Sequence, residues 1–184
     1  MTAAVTAPVS RLWTIDAAHT EAAFAVKHLM ISTVRGRFSD VQGQVSFDPD
    51  DLSTGSVSLT VNVASVDTRE AQRDAHLRSA DFFDAEKFPA LTFTSRRVRN
   101  VKGDTFQLVG DLTIKDVTRE VTLEVESQGL QTDPWGGERA GFSARTTINR
   151  KDFGLGWNVV LETGGILVGE DVKINVDVEL VKSK

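Results

Sequence analysis

The sequence predicts an all-β fold of about eight antiparallel strands with a short helical insertion around residues 68–86. Three observations carry this expectation. Apolar residues recur with a period of two along most of the chain, turn residues separate the alternating runs, and one polar stretch, DTREAQRDAHLRSADFFDAEK at 67–87, breaks the rhythm.

Taken in order, Phe24, Val26 and His28 share one parity against Ala23, Ala25 and Lys27, which defines a strand with one face to bury. Val41, Gly43, Val45 and Phe47 form the next run, and DPDD with a later glycine, 48–55, supplies a turn. Val57, Leu59, Val61 and Val63 then alternate with Ser58, Thr60, Asn62 and Ala64. In the polar stretch, Asp67 or Thr68 caps a helix with a thin stripe of Ala71, Ala75 and Leu77. Ser79 or Asp81 caps a further turn, whose Phe82 and Phe83 anchor the insertion across a barrel end or flank.

Leu91 and Phe93, after Pro89, make a shorter strand. The second half repeats the rhythm in Phe106, Leu108, Gly110, Leu112 and Ile114, then in Val121, Leu123 and Val125. Phe142, Ala144, Thr146 and Ile148 mark the next strand; Val172, Ile174, Val176, Val178 and Leu180 mark the last, with Asn175, Asp177 and Glu179 outward. Gly36, Gly43 and Gly110 suit the bends of a closing sheet. Strands with one apolar face must bury it against one another. A barrel does so while removing the edges, and a two-sheet sandwich buries the same faces.

At 184 residues the chain fits one domain, with residues 1–11 read as a flexible leader and 12–184 as the domain. Cysteine is absent, which excludes disulfides and thiolate chemistry. A net charge of −5 argues against nucleic acid as a partner. The start, MTAAVTAPVSRL, lacks the basic and apolar regions of a signal peptide, and no window matches a membrane helix; a cytoplasmic protein without membrane insertion is expected.

Chemical motifs are sparse. His19, His28 and His76 lack the spacing of a helical metal pair, and no metal is expected. His28 has the parity of a buried, hydrogen-bonded imidazole, while His19, in DAAHT, is placed to bond Asp16 or backbone at the barrel entrance. There is no Gly-x-Ser-x-Gly elbow, and Gly154 and Gly156 lack the strand–helix context of a dinucleotide loop. The segment DFGLGWNVVLETGGILVGEDV, 152–172, is too rich in glycine for regular structure and too apolar for a solvated loop. It reads as a plug over the core or as the mouth of an apolar cavity.

Five phrases taken together resemble the YceI family: WTIDAAHTEAAFAVKH (13–28), VRGRF (34–38), SVDTREAQRDAHLRSADFFDAEKFPALTF (65–93), GDLTIKDVT (110–118) and NRKDFGLGWNVVLETGGILVGEDVKI (149–174). The resemblance implies an eight-stranded lipocalin-like barrel that binds polyisoprenoids or similar amphiphiles without catalysis, and it allows a homodimer. A polyisoprenoid, quinone or fatty-acid-like molecule is the expected partner, with no cofactor beyond the bound lipid. The rival is an enzyme acting on a lipid or quinone through His19, His28 or His76.

Within such a barrel, parity puts Phe24, Val26, Val45, Phe47, Val61 and Val63 on the inner wall from the first half. Phe93, Leu112, Ile114, Phe142 and Ile148 follow from the second half, and Phe153, Leu155, Trp157, Leu161, Ile166 and Leu167 line or close the entrance. His28, Phe38, Phe82 and Phe83 complete the candidate ligand contacts. His19, Arg35, Arg73, His76 and Arg150 are candidates for holding a polar head group.

Overall fold

The computed structural model describes residues 10–183. The expected leader therefore lies outside the described residues except for Ser10 and Arg11, and Arg11 opens the first strand. The strands are β1 (Arg11–Ile15), β2 (Glu21–His28), β3 (Ser32–Phe38), β4 (Val41–Asp48), β5 (Asp51–Asn62) and β6 (Val66–Asp67). After the helix α1 (Ala71–Arg78) come β7 (Ala90–Lys102), β8 (Thr105–Ile114), β9 (Val117–Thr132), β10 (Glu138–Asn149) and β11 (Val168–Lys182).

These elements are eight long antiparallel walls. The ring runs β1-β4-β5-β7-β8-β9-β10-β11 and closes through β1–β11 pairing, with Trp13 opposite Lys182. Beyond short breaks, β1 continues as β2, β4 is preceded by β3, and β5 continues as β6. Thus Trp13 faces Val45 in one half of the first hairpin, and Ala22 faces Phe38 in the other. The break after Ile15 is a turn of 3-10 helix, Ala17–His19, capped by the Asp16 carboxylate accepting from Ala18 N–H. Closure gives each of the eight strands of this ring a partner on both sides, leaving β6 paired only with β3, and so favours a barrel over a sandwich for these single-faced strands.

Three strands were hidden in the sequence: β1 is only five residues long, β6 only two, and β3 reads as STVRGRF, with a glycine between its inward Val34 and Phe38. β7 spans 13 residues, far beyond Leu91 and Phe93. A register shift between Ser95 and Arg97 breaks its alternation, and its arginines bond across strands, Arg96 to Asp111 and Arg97 to Glu120. The turn expected over 48–55 is confined to Pro49 and Asp50, with Gly55 inside β5.

The helix also departs from expectation. Its cap is Glu70, whose carboxylate accepts from Gln72 and Arg73 N–H, while the further turn is capped by Ser79, whose hydroxyl accepts from Asp81 N–H and whose carbonyl accepts from Phe82 N–H. Ala71 and Ala75 are exposed; the one buried helical residue is Asp74. Leu77 and Phe83 pack against the upper core and Phe82 is buried, as the sequence suggests, and polar anchors hold the rest of the element. Asp74 accepts from the Thr68 N–H and hydroxyl at 2.8 and 2.6 Å, and Arg78 donates to the carbonyls of Ala64 and Val66. Buried polar groups are held when they find such partners.

Side chains divide the interior into two storeys. The lower holds Trp13 stacked on Phe47 at 5.1 Å, with Phe142 meeting both Phe47 and Phe106 edge-on. The upper is built on Phe38, Val63, Val66, Leu91, Ile114 and Ile148, and Phe153 and Leu155 close over them. Ala22 and Val61 pack against both storeys from one side, and Leu112 and Val121 from the other, forming a floor between them. Gly36 has a specific place here: a Cβ there would stand 2.4 Å from Phe24 Cζ, so glycine lets that ring lie against the β3 backbone.

Candidate functional site

The upper storey encloses a cavity of about 510 Å³, within the range of small-ligand sites. Its inner wall is apolar: Phe24, Val26 and Val34 on the first hairpin, Leu91, Ile114 and Ile148 opposite, and Val172 and Ile174 of β11. Parity explains this, since each contributes its inward side chain from a pleated strand. The insertion between β6 and β7 supplies Thr68, Gln72, Arg73, His76 and Leu77, followed by Phe82 and Phe83. The lower storey keeps a void of only about 90 Å³.

Over the mouth lies the segment between β10 and β11. Arg150–Phe153 form a 3-10 turn, ended by Gly154 at φ 74°, a conformation that suits glycine. Phe153 and Leu155 plug into the core, Val160 and Ile166 pair as an isolated bridge, and Gly164 and Gly165 turn the tip with φ of 80° and 103°. This segment is therefore plug at its base and rim further on. Its outer residues stand in solvent, Val160 being 80% exposed.

Arg150 fixes the fold of this flap. The side chain is 3% exposed, and its guanidinium donates to the carbonyls of Leu155, Trp157, Val168 and Gly169 at 2.5 to 3.2 Å. Burial pushes its pKa down from the usual arginine value, with the Glu170 charge opposing that shift. Across the mouth, His76 and Trp157 meet perpendicularly with centroids 4.6 Å apart, and Phe82 lies 5.4 Å from Trp157. His76 Nε2 is 2.8 Å from the Asp81 carboxylate.

Of the residues singled out in the sequence, Phe24, Val26, His28, Phe82, Phe83 and Ile114 line this cavity. So do Ile148, Leu155, Trp157 and Leu167, together with Arg73, His76 and Arg150. Val45, Phe47, Phe93 and Phe142 face the lower void instead. Phe38, Val63 and Phe153 are packed into the upper core, and Val61 and Leu112 form the floor. Leu161 and Ile166 lie in the flap away from either space.

The expected hydrogen bond of His28 is absent: its ring has no partner among the described residues and faces the cavity. Arg35 lies on the outer wall beside Arg37, Asp67 and Arg69. His19 bonds Asp16 at 2.9 Å, but on the outer seam rather than at the entrance. The Asp16 pKa is lowered to about 2, chiefly by the hydrogen bonds from His19 and Arg139, and the His19 pKa is raised by the Asp16 carboxylate. Asp16, His19 and Glu179 have the geometry of a ligand cluster, yet Arg139 bridges Asp16 and Glu179 at 2.8 and 2.5 Å and supplies the cation itself. Lining residues not foreseen include Lys27, Thr68 and Gln72; Lys27 has outward parity and sits at the rim, where alternation gives no signal.

The arrangement defines a class: a closed antiparallel barrel whose one roomy end is an apolar cavity beneath a flap. The chain belongs to the YceI-like domain family, whose model matches residues 13–180. A UPF0312 protein of Staphylococcus aureus (strain MSSA476) is 39% identical over 168 residues, covering 91% of this chain and 95% of the relative. The crystal structure of Burkholderia cenocepacia BcnA superposes with a TM-score of 0.79 at 27% identity, covering 90% of this chain and 98% of that one. A polyisoprenoid-binding domain from Saccharophagus degradans, at 14% identity, shares the fold with a TM-score of 0.71, covering 93% and 98%. Among the described residues, no helix is long and apolar enough to cross a membrane.

Proposed function

We propose that the protein is a non-catalytic carrier that stores or transports an isoprenoid or similar long-chain amphiphile in the upper cavity. The observation that carries this reading is the about 510 Å³ apolar space under a flap, whose rim is aromatic and polar. Each methylene moved from water into that space contributes about 0.8 kcal/mol before ordering costs, so affinity requires no reacting group. The Saccharophagus degradans domain of the same fold is a polyisoprenoid binder, which supports the choice of ligand. A quinone or fatty-acid-like tail fits the same chemistry, and no cofactor is required. Cytoplasmic residence and a homodimer belong to the same proposal, to be tested by cell fractionation and sedimentation.

Protein purified from cells is expected to release a co-purified lipid into organic solvent, identified by mass spectrometry, with native spectra showing the loaded mass. Repeated recovery of empty protein that binds no prenyl lipid or fatty acid in titration would overturn the reading. Turnover of such a lipid, lost on substitution of His28 or His76, would establish the enzymatic alternative.

A further inference from the structure

The charged residues lining the upper cavity are all cations. Lys27, Arg73 and Arg150 contribute to its wall, and no aspartate or glutamate does, in a chain whose net charge is −5. None of the three forms a salt bridge among the described residues, whereas Arg37, Arg96, Arg97 and Arg139 on the outer wall all do.

Their unused donors matter as much as their sign. The Arg73 Nε donates to the Thr68 hydroxyl at 2.7 Å and one Nη to the Thr68 carbonyl at 2.8 Å, which fixes the guanidinium plane. The Glu70 carboxylate is engaged by the Arg73 backbone N–H, and Asp74 reaches the Arg73 guanidinium only through the Thr68 hydroxyl. A guanidinium carries five N–H donors, so three on Arg73 and one on Arg150 remain without an acceptor among the described residues. Lys27, by contrast, is exposed at the rim, where it makes no side-chain hydrogen bond or ion pair among the described residues. Two carboxylates stand close without lining the cavity: Asp81, 2.8 Å from His76 Nε2, and Glu170, which is paired to Lys151. A cation bounded by an apolar wall attracts an anion more strongly than one in water.

We propose that the cavity selects an amphiphile with an anionic head, a carboxylate or a phosphate, held by Arg73 and Lys27 at the mouth with the buried Arg150 charge behind them. This rests on the carrier reading and specifies the class of head that the carrier takes. Planar, preoriented guanidinium donors suit both oxyanions, and the two heads share the chemistry being recognised.

The test uses the full chain and matched pairs with one tail and two heads: farnesyl phosphate against farnesol, and palmitate against hexadecanol. Affinities are read by displacement of a fluorescent fatty probe. The anion of at least one pair is expected to bind about tenfold tighter than its alcohol. Which pair shows the larger ratio identifies the head. Arg73→Met and Lys27→Met are each expected to narrow that ratio towards one, and rising salt to narrow it in the native chain. Equal binding of anion and alcohol in both pairs would overturn the anionic head while leaving the carrier intact. No binding of any of the four would instead overturn the carrier reading. A ratio that persists in both variants would remove Arg73 and Lys27 from head recognition; should one variant not fold, the other and the native pairs still decide.

Discussion

His76 on the helix and Trp157 on the flap meet ring against ring at 87°, with centroids 4.6 Å apart, and so join two elements 81 positions apart in sequence. The contact spans the mouth of the cavity, and both rings line it. A ligand entering there must pass or displace this pair.

Trp157 is consequently a reporter. Its emission is expected to shift when a lipid fills the cavity, while Trp13, stacked in the lower core, stays unaffected. Fluorescence of a Trp135→Phe variant, which removes the exposed third indole, isolates the signal. An unchanged spectrum with binding confirmed by mass spectrometry would place the ligand away from Trp157.

Arg150→Met should destabilise the chain by about 3 kcal/mol, because four flap and strand carbonyls lose one donor group together. Urea unfolding measures this. The exposed Arg145→Ala serves as the comparison and should change stability by less than about 0.5 kcal/mol. Similar midpoints for both variants would show that the flap does not depend on Arg150.

The floor between the storeys is expected to limit the length of a bound tail. Leu112→Ala should open the upper cavity toward the small void beneath and raise the length of prenyl alcohol that binds best, at a cost of about 2 kcal/mol in stability. A graded series of chain lengths, compared between native and variant protein, checks it. An unchanged optimum would mean that the tail stops short of Leu112.

The seam on the outer wall carries a pH dependence of stability. Arg139 and His19 lower the Asp16 pKa from 3.8 to about 2, so that contribution is complete above pH 3.8 and is lost as pH falls toward 2. The raised His19 pKa acts in the other direction: its contribution is present below 6.5 and fades as pH rises through the folded value. Arg139→Met should therefore be less stable than the native chain near pH 5, with the gap shrinking between pH 4 and 2. A gap independent of pH would assign the loss to packing of the arginine stem.

Alternation made most walls of this barrel legible, because Phe24, Val26, Ile114 and Ile148 are inward residues of regular pleated strands. What it left hidden were elements held by polar groups. α1 is anchored by Asp74 and Arg78 instead of its alanines, and β3 carries arginines on its outer face. The division into storeys was also invisible. Inward parity is the same for Phe24 and Phe47, yet one faces the roomy cavity and the other the packed end; height along the barrel is set by strand tilt and register, which alternation does not encode.

The closing of the ring has a consequence for how the cavity comes to exist. Trp13 pairs with Lys182, and the hydroxyls of Thr14 and Ser183, 169 residues apart, meet at 3.0 Å. No partial chain lacking its last strand can make that contact, and joining such distant segments carries a large loop-closure entropy. A ribosome-bound nascent chain thus has walls but no container, and the cavity exists only once β11 lies between β10 and the first hairpin.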